Sequence, residues 1–386
     1  MSTGLQAFSY GGLMFLLAVS LFKTSGLVAL GVSMAVPALL LTFLGTAIGV
    51  AADRYSKRRV LRISLGCLGT AGVIGLIGAV LNSPLSGVAF IASYILAGVA
   101  LAGGATVTSI LIPLHFDDDE LESANAAVQT ASIVAMICAP LVMQLFRAKG
   151  SQAIAFGVAI VFLGVAYAAT SRLREDFPQS SNRVPESRAH LNVLKGILKN
   201  RDLVVVTSAL SVTWLGIGAV NALEVPFLTK KLGAGAGGYA FSLAFGACWM
   251  LLGATSYSRI SARLGVDRVF VISLAGSGIA WGAFGLAPSY AIALIAVAIG
   301  AVFGSTLNIS GFSLIQRAAS RGESLGAGIS YAMGAFHFTG AVGLMVWSIV
   351  ASYGTSVGTA LVLSGGLGAC GALIAVSARL DGRASA

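Results

Sequence analysis

The sequence predicts an all-α integral membrane protein with about twelve transmembrane helices in two halves of six. Three observations carry this prediction: the composition, the lengths of the apolar runs and the placement of basic residues. Hydrophobic residues make up 57% of the 386 residues and charged residues 10%, and the mean hydropathy is +0.91. Soluble domains carry roughly 25% charged residues, so a chain this poor in charge must face lipid.

The apolar runs have the length of membrane-crossing helices. A helix needs about 20 mostly apolar residues to cross the ~30 Å hydrocarbon layer, and we number the runs of about that length spans 1 to 12. Spans 1 to 6 are Leu5–Phe22, Gly26–Val50, Val60–Leu81, Val88–Leu111, Ala124–Phe146 and Ala153–Thr170. Spans 7 to 12 are Leu203–Phe227, Tyr239–Tyr257, Val269–Leu286, Ile292–Phe312, Leu325–Ile349 and Val357–Ser377.

Basic residues predict the orientation. If the N-terminus is cytoplasmic, 19 of the 24 Lys and Arg residues fall in inside loops, and the outside loops hold the other five, Lys23, Arg147, Lys149, Lys230 and Lys231. This split follows the positive-inside rule. It predicts a multi-pass protein of the inner (plasma) membrane with both termini in the cytoplasm. It also accounts for the net charge of +10 without a nucleic-acid partner.

The longest polar stretch, Ser171–Asp202, separates six spans from six. We therefore predict an N-terminal half over residues 1–172, a cytoplasmic loop over 173–201 and a C-terminal half over 202–386. The halves resemble each other in one segment: GVAADRYSKRRVL, from Gly49, aligns without gaps with SRISARLGVDRVF, from Ser258. Both segments follow the second span of their half, and a repeated six-helix unit is typical of membrane transporters.

The sharpest motif is GTAIGVAADRYSKRR, which begins at Gly45 and lies between spans 2 and 3. An aspartate at the membrane edge is costly unless cations or a helix N-terminus pair with it. The motif resembles the G-x-x-x-D-R-x-G-R-R signature of the major facilitator superfamily, with Ser56 in place of the second glycine. The resemblance implies a conformational latch at the cytoplasmic lip, formed by Gly45, Gly49, Asp53, Arg54, Lys57 and Arg58. The alternative interpretation is positive-inside anchoring alone.

Other stretches narrow the resemblance to the drug and siderophore exporters of that superfamily, a group that includes enterobactin exporter-like and macrolide-efflux-like proteins. The stretches are IPLHFDDDELESANAAVQTAS after span 4, NALEVPFLTKKLGAGAGGYAF after span 7 and SLIQRAASRGESLGAG after span 10. Span 4 has no arginine, and span 5 has Pro140 without the Gly-Pro-x-x-Gly-Gly run of proton-coupled exporters. These departures leave the coupling mechanism open.

Two residues are candidates for coupling. Glu224 is the one carboxylate that lies inside an apolar run, and His337 lies within span 11. Polar ionisable groups at membrane depth face protein or water. Glu224 is predicted either to carry a proton or cationic substrate, or to pair at the interface with Lys230 or Lys231. His337 is predicted either to line the pathway or to be a polar residue packed in the protein.

The resemblance implies that spans 1, 4, 7 and 10 line a central cavity. Its candidate residues are Tyr10, Thr106, Trp214, Asn221 and Asn308, joined by Gln129 of span 5. Such a cavity is broad and lightly charged, which favours an amphipathic organic substrate over a sugar phosphate, because a phosphate calls for buried cations. The expected function is secondary active export of a drug or siderophore by alternating access, with protons as one possible coupling ion.

Three alternatives stay open at this point. The first is a metabolite or sugar importer of the same fold, and the second is a membrane sensor that does not transport. The third, an integral-membrane enzyme, should show paired acids, histidines or phosphate-binding loops. The acidic run Asp117–Glu122 is better explained as a helix start than as a metal site. We therefore predict no catalytic residue, no cofactor and no metal, and we expect a monomer whose partners are the bilayer and a small-molecule substrate.

Overall fold

A computed structural model describes residues 2–54, 57–81, 85–115, 118–170, 199–320 and 325–384. Within these ranges the side chains of 2–5, 40–41, 43–57, 101–130, 316, 319–331 and 378–384 lie outside the description. All statements below concern the described residues.

The first helix, Ser2–Arg54, is broken at Gly26, whose φ of 79° and ψ of −171° are not helical. A positive φ of this kind suits glycine, which lacks a Cβ. We name the arms before and after Gly26 α1 and α2, so that helix numbers follow the predicted spans. The remaining helices are α3 (Lys57–Val80), α4 (Leu85–His115), α5 (Asp118–Lys149), α6 (Gln152–Ala169), α7 (Arg201–Pro226), α8 (Gly235–Leu264), α9 (Val266–Leu286), α10 (Tyr290–Ser320), α11 (Leu325–Ser352) and α12 (Val357–Ala384).

The helices have the length and composition of membrane spans. In the described chain, ten helical stretches are long and apolar enough to cross a membrane, and Leu85–Ala100 within α4 is a shorter apolar stretch. One of the ten, Gln6–Leu39, contains the break at Gly26 and so comprises α1 and part of α2. The prediction of an all-α membrane protein with about twelve spans is confirmed.

The chain folds into two compact units. Unit 1 comprises Met1–Arg183 with Gly235–Ala244, and unit 2 comprises Val184–Ala234 with Phe245–Ala386. In unit 1, α3 packs on α4 and α6, and the helix formed by α1 and α2 packs on α4, α5 and α6. In unit 2, α9 packs on α10 and α12, and α7 packs on α10, α11 and α12. The two units thus share one packing scheme, in which the first helix and α3 to α6 take the places of α7 and α9 to α12.

Glycine brings the backbones together where α9 meets α12. An ideal Cβ at Gly278 would lie 2.5 Å from the Gly365 carbonyl oxygen, and one at Gly285 would lie 2.6 Å from the Gly358 carbonyl oxygen. In lipid, van der Waals packing of this kind is a main source of cohesion between helices. The glycines at these contacts therefore serve helix packing in unit 2.

Candidate functional site

Helix α7 is fixed at its start and along two of its sides. The Asn200 side chain accepts a hydrogen bond from the Leu203 amide (3.1 Å) and donates one to the Ala318 carbonyl of α10 (2.8 Å). Gly218 lies against the α11 backbone, with an ideal Cβ 2.6 Å from the Leu344 amide nitrogen. Gly216 lies against the Ser364 carbonyl of α12. The Asn221 side chain of the same helix, by contrast, is exposed.

Trp214 and Asn221 lie on one face of α7, and Trp214 also packs on α11, where an ideal Cβ at Gly340 would lie 3.3 Å from its ring. They are seven residues apart, which is about two helical turns and places them on one face. The Asn221 side chain is exposed and that of Trp214 is half-buried, although both belong to a candidate membrane span. Leu210 lies on the same side and contacts α10 at Gly311, where an ideal Cβ would lie 3.2 Å from the Leu210 methyl groups. The face therefore adjoins α10.

An aromatic cluster adjoins Trp214 across the contact between α7 and α11. The Trp214 and Phe336 rings are stacked with centroids 5.6 Å apart, and His337 lies 6.0 Å from Trp214 and 4.7 Å from Phe336. The Trp347 indole donates a hydrogen bond to the Leu215 carbonyl (3.0 Å), which holds the same two helices together. His337 is half-buried. The structure thus brings the two predicted residues Trp214 and His337 into one cluster, and their roles stay predictions.

Helix α10 has two exposed sides of different chemistry. Ile292, Ile295 and Ile299 are exposed on one side, where a lipid-facing helix is expected to be apolar. Asn308 is also exposed, but it follows Ile299 by about two and a half turns and so points the opposite way. On the side of Asn308, an ideal Cβ at Gly304 would meet no atom within 4 Å. Asn308 therefore lies on an open side of α10 that is opposite its apolar side.

Glu224 lies near the end of α7, next to a change in helix type. The helix continues as one turn of π-helix over Phe227–Lys231, and such turns are frequent at functional sites. Glu224 is half-buried and interacts electrostatically with Tyr290 at the start of α10. The Lys231 ammonium lies over the Phe227 ring, 4.8 Å from its centroid. The assignment of Glu224 to coupling or to an interfacial pair stays a prediction.

The candidates in the first half are only partly described. Tyr10 is half-buried and lies close enough to Tyr94 of α4 for their hydroxyl groups to interact electrostatically. The side chains of Thr106 and Gln129 lie outside the described residues, as do those of Asp53, Arg54 and Lys57 of the proposed latch, and the surroundings of Gly45 and Gly49. Arg58 is half-buried at the start of α3.

Three contact residues were not among the sequence candidates: Tyr94, Tyr290 and Phe336. Phe336 could have been suspected, because Phe336, His337 and Phe338 form an unusual aromatic run inside an apolar span. Tyr290 carries no comparable signal, since single tyrosines at span ends are common. Tyr94 carries none either, because it is one of several uncharged polar residues inside span 4.

Comparison with known proteins finds a protein family whose match extends from the first half into the second half, and individual relatives that align over 283 residues. The sequence profile of the Major Facilitator Superfamily matches residues 1–255. Enterobactin exporter EntS of Shigella boydii serotype 18 (strain CDC 3083-94 / BS512) is 24% identical over 283 residues, which cover 69% of this chain and 64% of that protein. EntS of Escherichia coli O81 (strain ED1a) is 25% identical over 283 residues with the same coverage. The chain thus spans a little under two thirds of the length of these curated relatives.

Solved structures with the same fold cover nearly the entire chain. The nucleoside transporter NupG superposes with a TM-score of 0.72 at 14% identity and covers 98% of this chain and 99% of its own. The POT family transporter PepTSo gives 0.76 at 13% identity, with 98% and 96% covered. A bacterial homologue of the iron transporter ferroportin in an inward-facing state gives 0.72 at 14% identity, with 97% and 96% covered. At these identities the likeness concerns the fold alone.

The fold and its relatives define a multi-pass membrane transporter rather than an enzyme. The chain belongs to the Major Facilitator Superfamily, and the predicted resemblance to its siderophore exporters is confirmed by the EntS proteins.

Proposed function

We propose that the protein is a secondary active transporter that exports a small amphipathic organic compound, of drug or siderophore type, by alternating access. The observation that carries this proposal is the similarity to two exporters, EntS of Shigella boydii and of Escherichia coli, over 283 residues. Direction and substrate class are taken from those names and belong to the proposal.

The chemistry of the described faces supports an amphipathic substrate. Trp214 and the adjoining rings of Phe336 and His337 offer aromatic surface, and Asn221 and Asn308 offer amide donors and acceptors. Apolar pockets with a few placed polar groups are typical of sites for small organic molecules. A phosphorylated sugar would instead call for fixed cations beside the amides.

The proposal includes the topology and the moving parts. Halves over residues 1–172 and 202–386, joined by a cytoplasmic loop over 173–201, would rock about a midplane site, with both termini in the cytoplasm. The charge motif around Asp53 would latch the cytoplasmic side in one state and release it in the other. Glu224 or His337 would couple transport to protons, and the working form would be a monomer.

The test is a transport assay with membrane vesicles of known orientation. Inside-out vesicles that contain the protein should accumulate a catecholate siderophore or a lipophilic dye, whereas a nucleoside and a dipeptide should not accumulate. Trp214→Ala should raise the half-saturating substrate concentration, because it removes an aromatic face. The matched control is Phe338→Ala, since Phe338 is exposed on α11 and lies outside the cluster of Trp214, Phe336 and His337.

Uptake of the nucleoside or dipeptide into right-side-out vesicles, without movement of the amphipathic compounds, would show that the protein is an importer and would contradict the proposed export. Absence of transport of all four compounds, in vesicles where a control exporter is active, would favour a membrane sensor. Equal effects of Trp214→Ala and Phe338→Ala would remove Trp214 from the substrate site.

A further inference from the structure

Arg62 lies in unit 1, where the start of α3 is next to the end of α6, and its side chain is held by two contacts with residues at the end of α6. Its Nε donates a hydrogen bond to the Thr170 hydroxyl (3.2 Å), and its guanidinium carbon lies 5.8 Å from the centroid of the Tyr167 ring. The Thr170 hydroxyl in turn donates to the Tyr167 carbonyl (2.7 Å), and Thr170 is fully buried. The guanidinium is therefore oriented by α6 and does not swing freely.

Among the residues that the structure describes, this orientation leaves most of the hydrogen-bonding capacity of Arg62 unused. Guanidinium has five N–H donors, and four of them belong to the two Nη amino groups. Within the described residues, the hydrogen bond of Arg62 uses Nε, and the other contact is with the face of the Tyr167 ring. Arg58 and Arg59 precede it in the first turns of α3, so the positive charge of this helix end is concentrated around Arg62.

Arg62 stands at one end of the lipid-facing side of α3. Ile63 is 60% exposed and Val73 44% exposed along that side, as expected of residues that contact acyl chains. Tyr167 is 46% exposed on the neighbouring helix. A charged side chain at this level borders both the hydrocarbon layer and the headgroups.

A strip of open glycines, here called the furrow, borders the contact between α3 and α6. Ideal Cβ atoms at Gly66 and Gly69 of α3, and at Gly157 and Gly164 of α6, would meet no atom within 4 Å. Farther along, the two helices close up, because an ideal Cβ at Gly72 would lie 2.9 Å from Ile160. The open glycines therefore lie beside the helix contact and not within it.

We propose that Arg62, Tyr167 and Thr170 form a binding site for the phosphate of an anionic phospholipid, with one acyl chain in the furrow. Arginine donates paired hydrogen bonds to phosphate oxygens, and basic pockets between transmembrane helices on the cytoplasmic side bind anionic headgroups. The charge selects an anionic over a zwitterionic lipid. The apolar furrow selects a lipid over inorganic phosphate. With the orientation proposed above, the lipid comes from the cytoplasmic leaflet.

The experiment measures lipid binding to the purified full-length protein in detergent. Phosphatidylglycerol, phosphatidylcholine with the same acyl chains, and inorganic phosphate are each titrated, and binding is followed by native mass spectrometry and by thermal stabilisation. Phosphatidylglycerol should bind most tightly. Arg62→Gln should weaken its binding about fivefold, the effect of one basic residue near an anionic membrane. The matched control is Arg268→Gln, because Arg268 is an exposed arginine in the first turn of α9, and an ideal Cβ at each glycine of α9 would meet an atom within 4 Å.

Gly69→Leu is the second variant, and it keeps the test decisive if Arg62→Gln fails to fold. Its side chain enters open space, so it should leave the melting temperature of the lipid-free protein unchanged while it weakens phosphatidylglycerol binding. Equal binding of the two lipids, stabilisation by inorganic phosphate alone, or wild-type binding by Arg62→Gln would overturn the proposal. So would wild-type binding by Gly69→Leu.

Discussion

The substitution Gly278→Ala tests whether the contact between α9 and α12 holds unit 2 together. The added methyl would lie 2.5 Å from the Gly365 carbonyl oxygen, 2.9 Å from the Ala369 amide nitrogen and 2.9 Å from the Gly368 Cα. All three are backbone atoms of α12, so no side chain can rotate away and the helices must separate. Overpacking of this kind costs about 1–3 kcal/mol.

The matched control is Gly282→Ala, one turn farther along the same helix. Its methyl would meet one atom, the Val362 carbonyl oxygen, at 4.0 Å. Both changes carry the same gain in helix propensity, about 1 kcal/mol, so that gain cancels in the comparison. Unit 2 is a domain of under 200 residues. For a domain of this size, a difference of about 2 kcal/mol corresponds to about 4–8 °C in melting temperature.

The assay heats the purified variants in one detergent at one rate and follows loss of the folded species by tryptophan fluorescence and size-exclusion chromatography. Gly278→Ala should melt several degrees below wild type, and Gly282→Ala should melt at or above it. Equal melting temperatures for the two variants would refute the reasoning, because the two differ in little except the distance to α12.

The remaining predictions concern transport and topology. Glu224→Gln should abolish transport driven by a proton gradient but keep substrate binding; gradient-driven flux and equilibrium binding would separate the two, and an active variant with the wild-type pH profile would remove Glu224 from coupling. Asp53→Asn should lower the transport rate strongly at normal expression, because it removes a charge from the proposed cytoplasmic latch and not from the packed helices. A wild-type transport rate would indicate that the motif only fixes the membrane orientation. Reporter fusions after Asp202 and Arg268 should report cytoplasm, and a fusion after Lys231 should report the outside; a cytoplasmic signal at Lys231 would contradict the twelve-helix topology.

The helix count was predictable because it depends on local information. Each span is an apolar run whose length is set by the bilayer, so the runs could be read one at a time. The break at Gly26 falls at the predicted start of span 2, where a glycine follows Thr24 and Ser25. The π-helical turn at Phe227–Lys231 was not predicted, since Pro226 accepts helical φ and gives no sign of a wider turn beyond it.

The contacts around the candidate site were not predictable, because they depend on tertiary packing. His337 was chosen as a polar ring at membrane depth, but its place beside Trp214 depends on how closely α7 and α11 approach through Gly218 and Gly343. Arg62 was counted as one of many inside cations. Its attachment to Thr170 joins residues 108 apart in sequence, and no local pattern records it.

Asn221 is exposed on α7, apart from the glycines through which α7 contacts α11 and α12. Gly216 and Gly218 make the backbone contacts, and neither points the way Asn221 does. A substitution at Asn221 therefore leaves these helix contacts in place, so the chemistry that α7 presents there can change without repacking the helices. If Asn221 and Asn308 contact the substrate as proposed, single replacements at these two exposed positions would change the cargo without compensatory stabilising changes elsewhere.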